Sequence, residues 1–252
     1  MYDKSISLLV AVMVIIALIA GCSRSVEERI PAYRTVSREQ VEKVRSAITE
    51  GTGGTAEAVA RKDPQGWATL TGTFRFPSGA VAQFANPPAL QVTGGDAAFC
   101  GQGGGPKSEA VVVNTSNGGL QNVVAYLSDD LEKIGKPELW IHEDAAPGKT
   151  EPVVFDQKNC RFLTHVLAMQ VSQPLEIHNS DGVFHNTYLQ NSGKPFNQGI
   201  PSGAVKPFTH SKEERAPYPA TCSVHPWMKA YVLPRNNGYF AVSDESGGFT
   251  IA

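Results

Sequence analysis

From Trp67 onwards, the sequence consists of short segments in which apolar and polar residues alternate, separated by Gly, Pro and Asn. Such alternation is typical of β-strands that turn one face to a core, and frequent turn residues favour a sandwich or a barrel. This pattern, in a region long enough for one sizeable core, predicts a single all-β domain over residues 67–252. The strand candidates are 69–76, 110–113, 122–127, 152–155, 166–171, 174–179, 184–189, 229–233 and 239–243.

The charge pattern argues against nucleic acid as a partner. The chain has 22 Lys and Arg against 24 Asp and Glu, and the basic residues are scattered rather than gathered in a stripe. A nucleic-acid-binding domain normally presents a clustered basic surface. The sequence also lacks a phosphate-binding Gly-rich motif and a Gly-x-Ser-x-Gly nucleophile motif, so neither of these enzyme classes is indicated.

Four side chains suited to binding a metal ion are placed in a characteristic order. Cys222, His225 and Met228 lie within seven residues, and His185 lies upstream. Two imidazoles and a thiolate, with a weak axial thioether, are the ligand set of a blue-copper electron-transfer site. Each residue also has an ordinary interpretation: Met228 as core filling, His225 as a surface histidine and Cys222 as half of a disulfide. The combination favours the metal site.

Residues 150–235 resemble the cupredoxins, and the Cys-x-x-His-Pro-aromatic-Met loop is most similar to that of the amicyanins. The chain also resembles secreted proteins called methylamine-utilisation-like. The resemblance implies a cupredoxin-like Greek-key β-sandwich with one type 1 copper ion, alternating between Cu(I) and Cu(II). It further implies that Asn186, which follows the first His, ties the two ligand loops together through Ser223, close to the metal but not bound to it.

The same resemblance implies an electron port, in which His225 is surrounded by the apolar residues Pro226 and Trp227. Strand 166–171 would also place His165 near the copper end, as a hydrogen-bonded neighbour or as an extra ligand. The protein would then be an electron carrier rather than an enzyme. Its expected partners are redox proteins, such as a cytochrome or a dehydrogenase.

The first 21 residues are typical of a bacterial lipoprotein signal peptide. Lys4 is followed by an apolar run over 6–20 that ends in Gly21-Cys22, so Cys22 is the expected lipidation site. An uncleaved membrane-spanning anchor is the alternative, but the run is short for a span and its Gly-Cys ending would be unexplained. Ser23 after the Cys is typical of Gram-negative lipoproteins at the outer membrane. We therefore expect an exported protein, lipid-anchored at the periplasmic face or at the cell surface.

Residues 22–66 are predicted to form a lipid-anchored linker with a short helix, which begins at a capping box over 37–40. Lipidation of Cys22 leaves three cysteines in an oxidising compartment, where one pair and one free thiol are the natural partition. If Cys222 binds copper, Cys100 pairs with Cys160. Sequence alone leaves the other pairings open.

Other functions remain possible for such a chain. A periplasmic copper chaperone would favour exposed, exchangeable ligands, and only four Met residues occur in the chain. A cupredoxin-like structural module without metal would have no need of the four-ligand set. A copper oxidase or nitrite reductase would need a second copper centre, and no His-x-His motif is present.

Overall fold

The structure is a computed structural model that describes residues 63, 65–127, 131 and 136–251. Asp63–Ala252 form one compact unit. The predicted signal peptide, the lipidation site Cys22 and the linker helix lie outside the described residues. None of the helices formed by the described residues is long and apolar enough to cross a membrane.

Two larger β-sheets carry the region in which the metal-binding residues were predicted. The five-stranded sheet has the order β10-β9-β12-β13-β7, and its strands are β7 (Val166–Gln170), β9 (His185–Leu189), β10 (Phe196–Ile200), β12 (Tyr218–Thr221) and β13 (Lys229–Arg235). The four-stranded sheet has the order β11-β8-β5-β6, and its strands are β5 (Val153–Lys158), β6 (Arg161–Phe162), β8 (Leu175–Asn179) and β11 (Val205–Phe208). Both sheets are mixed, because β5 pairs with β8 and β7 pairs with β13 in parallel.

The core lies between these sheets and follows from the two-residue period of the strands. In β8 and β9, the first, third and fifth residues are buried while the residues between them are partly exposed. Side chains from both sheets, among them Phe155, Ile177, Leu189 and Val232, belong to one continuous apolar cluster. The predicted all-β, cupredoxin-like sandwich is therefore confirmed.

The remaining strands form three small two-stranded sheets, two of which pair a strand from the first part of the unit with a strand from its end. They are β1 (Leu70–Thr73) with β15 (Gly248–Ile251), β2 (Val112–Val113) with β3 (Leu120–Gln121), and β4 (Val124–Tyr126) with β14 (Phe240–Val242). One short helix, α1 (Ala97–Cys100), lies in the first part of the unit. Short 3-10 segments cover Ser78–Phe84, Gln102–Gly104, Pro137–Leu139 and Glu143–Ala145.

A disulfide fastens α1 to the four-stranded sheet. Cys100, the last residue of α1, is bonded to Cys160 in the turn between β5 and β6, with an S–S distance of 2.02 Å. The predicted pairing is thus present. Cys222 is a free thiol and is buried, so it remains available as a ligand.

Candidate metal centre

Two neighbouring strands bring the predicted ligands to one end of the sandwich. His185 is the first residue of β9, and Cys222 directly follows β12, which pairs antiparallel with β9. The 222–228 loop is closed by two backbone hydrogen bonds: Cys222 N–H donates to the Met228 carbonyl at 3.3 Å, and Met228 N–H donates to the His225 carbonyl at 2.9 Å. This tight closure turns the thiol and the imidazole of the loop towards His185.

Three donor atoms converge at a buried point. The Nδ1 atoms of His185 and His225 are 2.9 Å apart, and Cys222 Sγ lies 4.0 Å from His225 Nδ1. All three ligand atoms lie within 4.8 Å of one another. The residues His185, Cys222 and His225 are only 0%, 2% and 1% exposed, so water has little access to them.

These spacings fit one shared transition-metal ion. Ligand nitrogens lie about 2 Å and thiolate sulfurs about 2.3 Å from a metal such as zinc, so donors to one ion are about 3–4 Å apart. The outer nitrogens of both imidazoles meet carboxylates, which only accept hydrogen bonds, so each Nε2 carries hydrogen. The facing Nδ1 atoms then present lone pairs, which a shared cation would stabilise.

Carboxylates hold the outer edges of both rings. Asp181 Oδ2 accepts a hydrogen bond from His185 Nε2 at 2.7 Å, and Asp96 Oδ2 accepts one from His225 Nε2 at 3.1 Å. Burial holds the pKa of His185 below its usual value, although the hydrogen bond to Asp181 acts in the opposite direction. The neutral ring, which is the form that binds metal, is therefore favoured at His185.

The pair formed by Asn186 and Ser223 links the two ligand loops. Ser223 N–H donates to Asn186 Oδ1 at 3.1 Å, and the backbone N–H of Asn186 donates to Cys222 Sγ at 3.3 Å. The contact implied by the cupredoxin resemblance is thus present in the structure. Because the thiol sulfur accepts this hydrogen bond, the position of Cys222 is set from the side of β9 as well as from its own loop.

Met228 is buried directly before β13, at the end of the same loop. Its role as an axial ligand stays a prediction.

His225 has a polar neighbour in addition to the apolar residues expected at an electron port, and that role of Pro226 and Trp227 stays a prediction. His225 is almost fully buried, and its outer nitrogen is covered by Asp96. Pro226 is exposed, whereas Trp227 is half-buried, with its ring 5.0 Å from that of His225 and its Nε1–H donating to the Cys160 carbonyl at 3.0 Å. The segment carrying Asp96 precedes the predicted 150–235 core and folds over this edge of the imidazole.

His165 lies apart from the three converging ligands. Its Nδ1 is 3.7 Å from a carboxylate oxygen of Glu109, and its ring meets that of Tyr231 edge-on at 5.8 Å. Burial is the largest influence on its pKa and lowers it. His165 lines a cavity of about 260 Å³ that also borders Trp227 and Met228, so it is a neighbour of the 222–228 loop rather than a member of the converging group.

Two residues of this centre were not identified from the sequence as functional. Asp181 precedes His185 by four residues, and this local spacing could have suggested the contact. Asp96 is separated from His225 by 129 residues, and no pattern in the sequence connects them. Asp181 also forms a group with His185 and Cys160, but the Cys160 sulfur is committed to the disulfide.

Comparison with solved structures finds similarity over about a third of the chain. A Cu-containing nitrite reductase (NirK) from Thermus scotoductus SA-01 is 22% identical, with a TM-score of 0.31, over 34% of this chain and 23% of that chain. The reduced Cu(I) form at pH 4 of an amicyanin mutant is 16% identical, with a TM-score of 0.31, over 35% of this chain and 86% of that chain. A second amicyanin mutant with Cu(I) is 14% identical, with a TM-score of 0.30, over 37% of this chain and 100% of that chain. No protein-family model and no curated protein matches the chain.

Proposed function

We propose that this protein is an exported blue-copper electron carrier. It would be tethered to a membrane through lipidated Cys22 and would pass single electrons between redox proteins. One copper ion would be held by His185, Cys222 and His225, with Met228 as the axial ligand. The observation that carries the proposal is the convergence of two imidazole Nδ1 atoms and one thiol sulfur at a buried point.

The chemistry of the donor set supports copper. Soft sulfur ligands suit Cu(I), and imidazoles suit zinc as well as copper, so a bound copper ion would supply reversible one-electron transfer. The chain keeps the donors in place through the short 222–228 loop and the Asn186–Ser223 link. Burial also protects the Cys222 thiol, because oxidation of a thiol requires exposure. A rigid, enclosed site changes little when an electron arrives or leaves.

Burial also separates this proposal from a copper chaperone. A chaperone hands its ion to another protein, so its ligands must be reachable. Here the three converging side chains are at most 2% exposed, and both imidazoles are fixed at their outer nitrogens. This arrangement favours retention of the ion over its exchange.

The decisive experiment is a Cu(II) titration of the chain from Ser23 onwards, followed by absorption and EPR spectroscopy. We expect one equivalent of copper, an intense blue thiolate-to-copper band and reversible bleaching by a reductant. Cys222→Ala should abolish the band. The control is Thr221→Ala, which changes the residue before Cys222 but none of the proposed ligands, and it should retain the band. Colourless binding, binding that survives Cys222→Ala, or a preference for zinc without a blue copper form would reject the electron-carrier function.

The membrane tether requires a separate experiment in the expressing bacterium. Cys22→Ala should abolish incorporation of a labelled fatty acid and release the protein from the membrane fraction. The control is Cys100→Ala, which removes another cysteine and should leave the lipid label in place. A protein that remains in the membrane without Cys22 would be held by its apolar segment 6–20 instead.

A further inference from the structure

The outer edges of the two histidine ligands are connected through one disulfide. Asp96 contacts His225, and Asp181 contacts His185. Asp96 lies directly before the helix that ends in Cys100, and Asp181 binds the backbone of Cys160. The Cys100–Cys160 bond therefore joins the segments that hold these two carboxylates.

Asp181 is the more deeply buried of the two carboxylates. Its Oδ1 accepts a hydrogen bond from Asn159 N–H at 2.6 Å, and its Oδ2 accepts one from Cys160 N–H at 2.8 Å and one from His185 Nε2. Asn159 and Cys160 have φ angles of 54° and 52°, which residues with a side chain rarely adopt. The carboxylate thus stabilises an unusual turn and orients an imidazole at the same time.

Asp96 is placed by α1. It precedes the first residue of this one-turn helix, and its carbonyl accepts a hydrogen bond from Cys100 N–H at 2.9 Å. Asp96 and Cys100 are therefore fixed relative to each other by a single helical turn. Phe99 of the same turn packs beside Gly182, and Gly182 lies three residues before His185 in the sequence.

Cys160 is also connected to the 222–228 loop. The Cys160 carbonyl accepts a hydrogen bond from Trp227 Nε1, and the Trp227 ring lies 5.0 Å from that of His225. The turn at Cys160 is thus linked to both imidazoles: to His185 through Asp181, and to His225 through Trp227. Loss of the disulfide would remove the covalent restraint on α1, and with it one restraint on the carboxylate that covers His225.

We propose that Asp96 and Asp181 are positioning residues for the two copper-binding imidazoles, and that the Cys100–Cys160 disulfide holds Asp96 in register with His225. This inference rests on the proposed copper site. A carboxylate that accepts the Nε2 hydrogen fixes Nδ1 as the ligand atom and makes the ring a stronger donor. The segment before the cupredoxin-like core, braced by its disulfide, thereby completes the coordination environment of His225.

The test compares Asp96→Asn with two matched variants. Removal of such a partner typically weakens metal binding by about 10–100-fold, so Asp96→Asn should bind Cu(II) correspondingly more weakly and change its EPR hyperfine splitting. Asp96→Glu, which retains a carboxylate, should restore much of the loss. Asp144→Asn, the same charge change at an exposed residue beside His142, should bind like the wild type.

The role of the disulfide is tested by combining variants. In the Cys100→Ala/Cys160→Ala background, Asp96→Asn should have little further effect on Cu(II) affinity, because its carboxylate is no longer held against the ring. If Asp96→Asn weakens Cu(II) binding equally with and without the disulfide, the disulfide does not hold Asp96 against His225. An affinity of Asp96→Asn equal to that of Asp144→Asn would refute the positioning role.

A measurement without metal separates this inference from the proposed function. In the NMR spectrum of the metal-free protein, His225 Nε2–H should be protected from exchange, and Asp96→Asn should shift its resonance and shorten its lifetime. A protein that lacks a blue copper form but shows this signature would reject the copper function while retaining the contact. An unprotected His225 Nε2–H would reject the contact itself. If the disulfide-free background does not fold, the disulfide is reduced in the wild type instead: the lifetime of the same proton should shorten, and an unchanged lifetime would refute the role of the disulfide.

Discussion

His210 is expected to make the stability of this protein sensitive to mild acid. The side chain is 5% exposed, and its Nε2 lies 2.6 Å from the hydroxyl of Tyr218. Its Nδ1 is buried and has no hydrogen-bond partner among the described residues. Burial is the main cause that lowers its pKa from 6.5 to about 4, while the charge of Glu214 acts in the opposite direction.

The sign and size of the effect follow from this pKa. Below pH 6.5, the unfolded chain binds a proton at His210 that the folded chain does not take up until about pH 4. The contribution of this residue is therefore fully present above pH 6.5 and is lost as the pH falls through that window. Linkage gives a loss of roughly 2 kcal/mol in the free energy of unfolding between about pH 7 and pH 5.

Urea unfolding at these two pH values measures the effect. The wild type should lose roughly 2 kcal/mol more than His210→Gln on acidification, because glutamine does not titrate. His142→Gln, which changes a more exposed histidine, should behave like the wild type. If His210→Gln and the wild type lose the same free energy between the two pH values, burial of His210 does not control the acid response.

Three further substitutions test other parts of the structure. Thr187 is fully buried, and its hydroxyl has no hydrogen-bond partner in the described part of the chain. Thr187→Val should therefore raise the free energy of urea unfolding by about 1 kcal/mol. A lower free energy of unfolding would show that the hydroxyl is hydrogen-bonded. If Met228 is the axial ligand of a bound copper ion as proposed, Met228→Leu should retain the copper and shift its reduction potential in spectroelectrochemistry, because an axial ligand tunes the site. Complete loss of copper would contradict this role. A side chain at Gly119 would collide with the backbone of Ser246. Gly119→Ala should therefore lower the free energy of unfolding by about 1–3 kcal/mol, measured as a lower melting temperature. An unchanged melting temperature would contradict the close approach of the two backbones.

The strand predictions succeeded where one face of a strand is apolar. The segments at β5, β7, β8 and β13 were recognised, and they contribute apolar side chains such as Phe155, Ile177 and Val232 to the core. The segment at β9 was recognised too, although two of its three buried residues, His185 and Thr187, are polar. The strands β10, β11 and β12 were missed. The middle of β10 is Asn-Gln-Gly, while β11 and β12 each contain a proline, a residue that disfavours a central strand. Their pairing with recognised strands therefore overrides a weak local preference.

In the candidate site too, contacts formed by neighbouring segments could be predicted from the sequence, whereas a contact formed by a distant segment could not. The order of His185, Cys222 and His225 was sufficient to predict that they share a site, because strand ends and one short loop bring them together. The family resemblance covers residues 150–235 and implied the apolar neighbours Pro226 and Trp227 for His225, but it does not include Asp96. A contact made by a segment outside that range could not follow from the resemblance.

The physical consequence is that three separate chain segments, around Asp96, over 181–185 and over 222–228, determine the geometry of a candidate site whose donor atoms come from only two of them. The 222–228 loop supplies the thiol and one imidazole, and the start of β9 supplies the other. The orientation of both rings also depends on Asp96 and Asp181. Because each imidazole is restrained at its outer nitrogen as well as at its backbone, rotation of either ring would break a hydrogen bond to a charged group, which typically contributes about 1.5–3 kcal/mol. A donor set restrained in this way resists rearrangement when the charge at its centre changes, as a one-electron carrier requires.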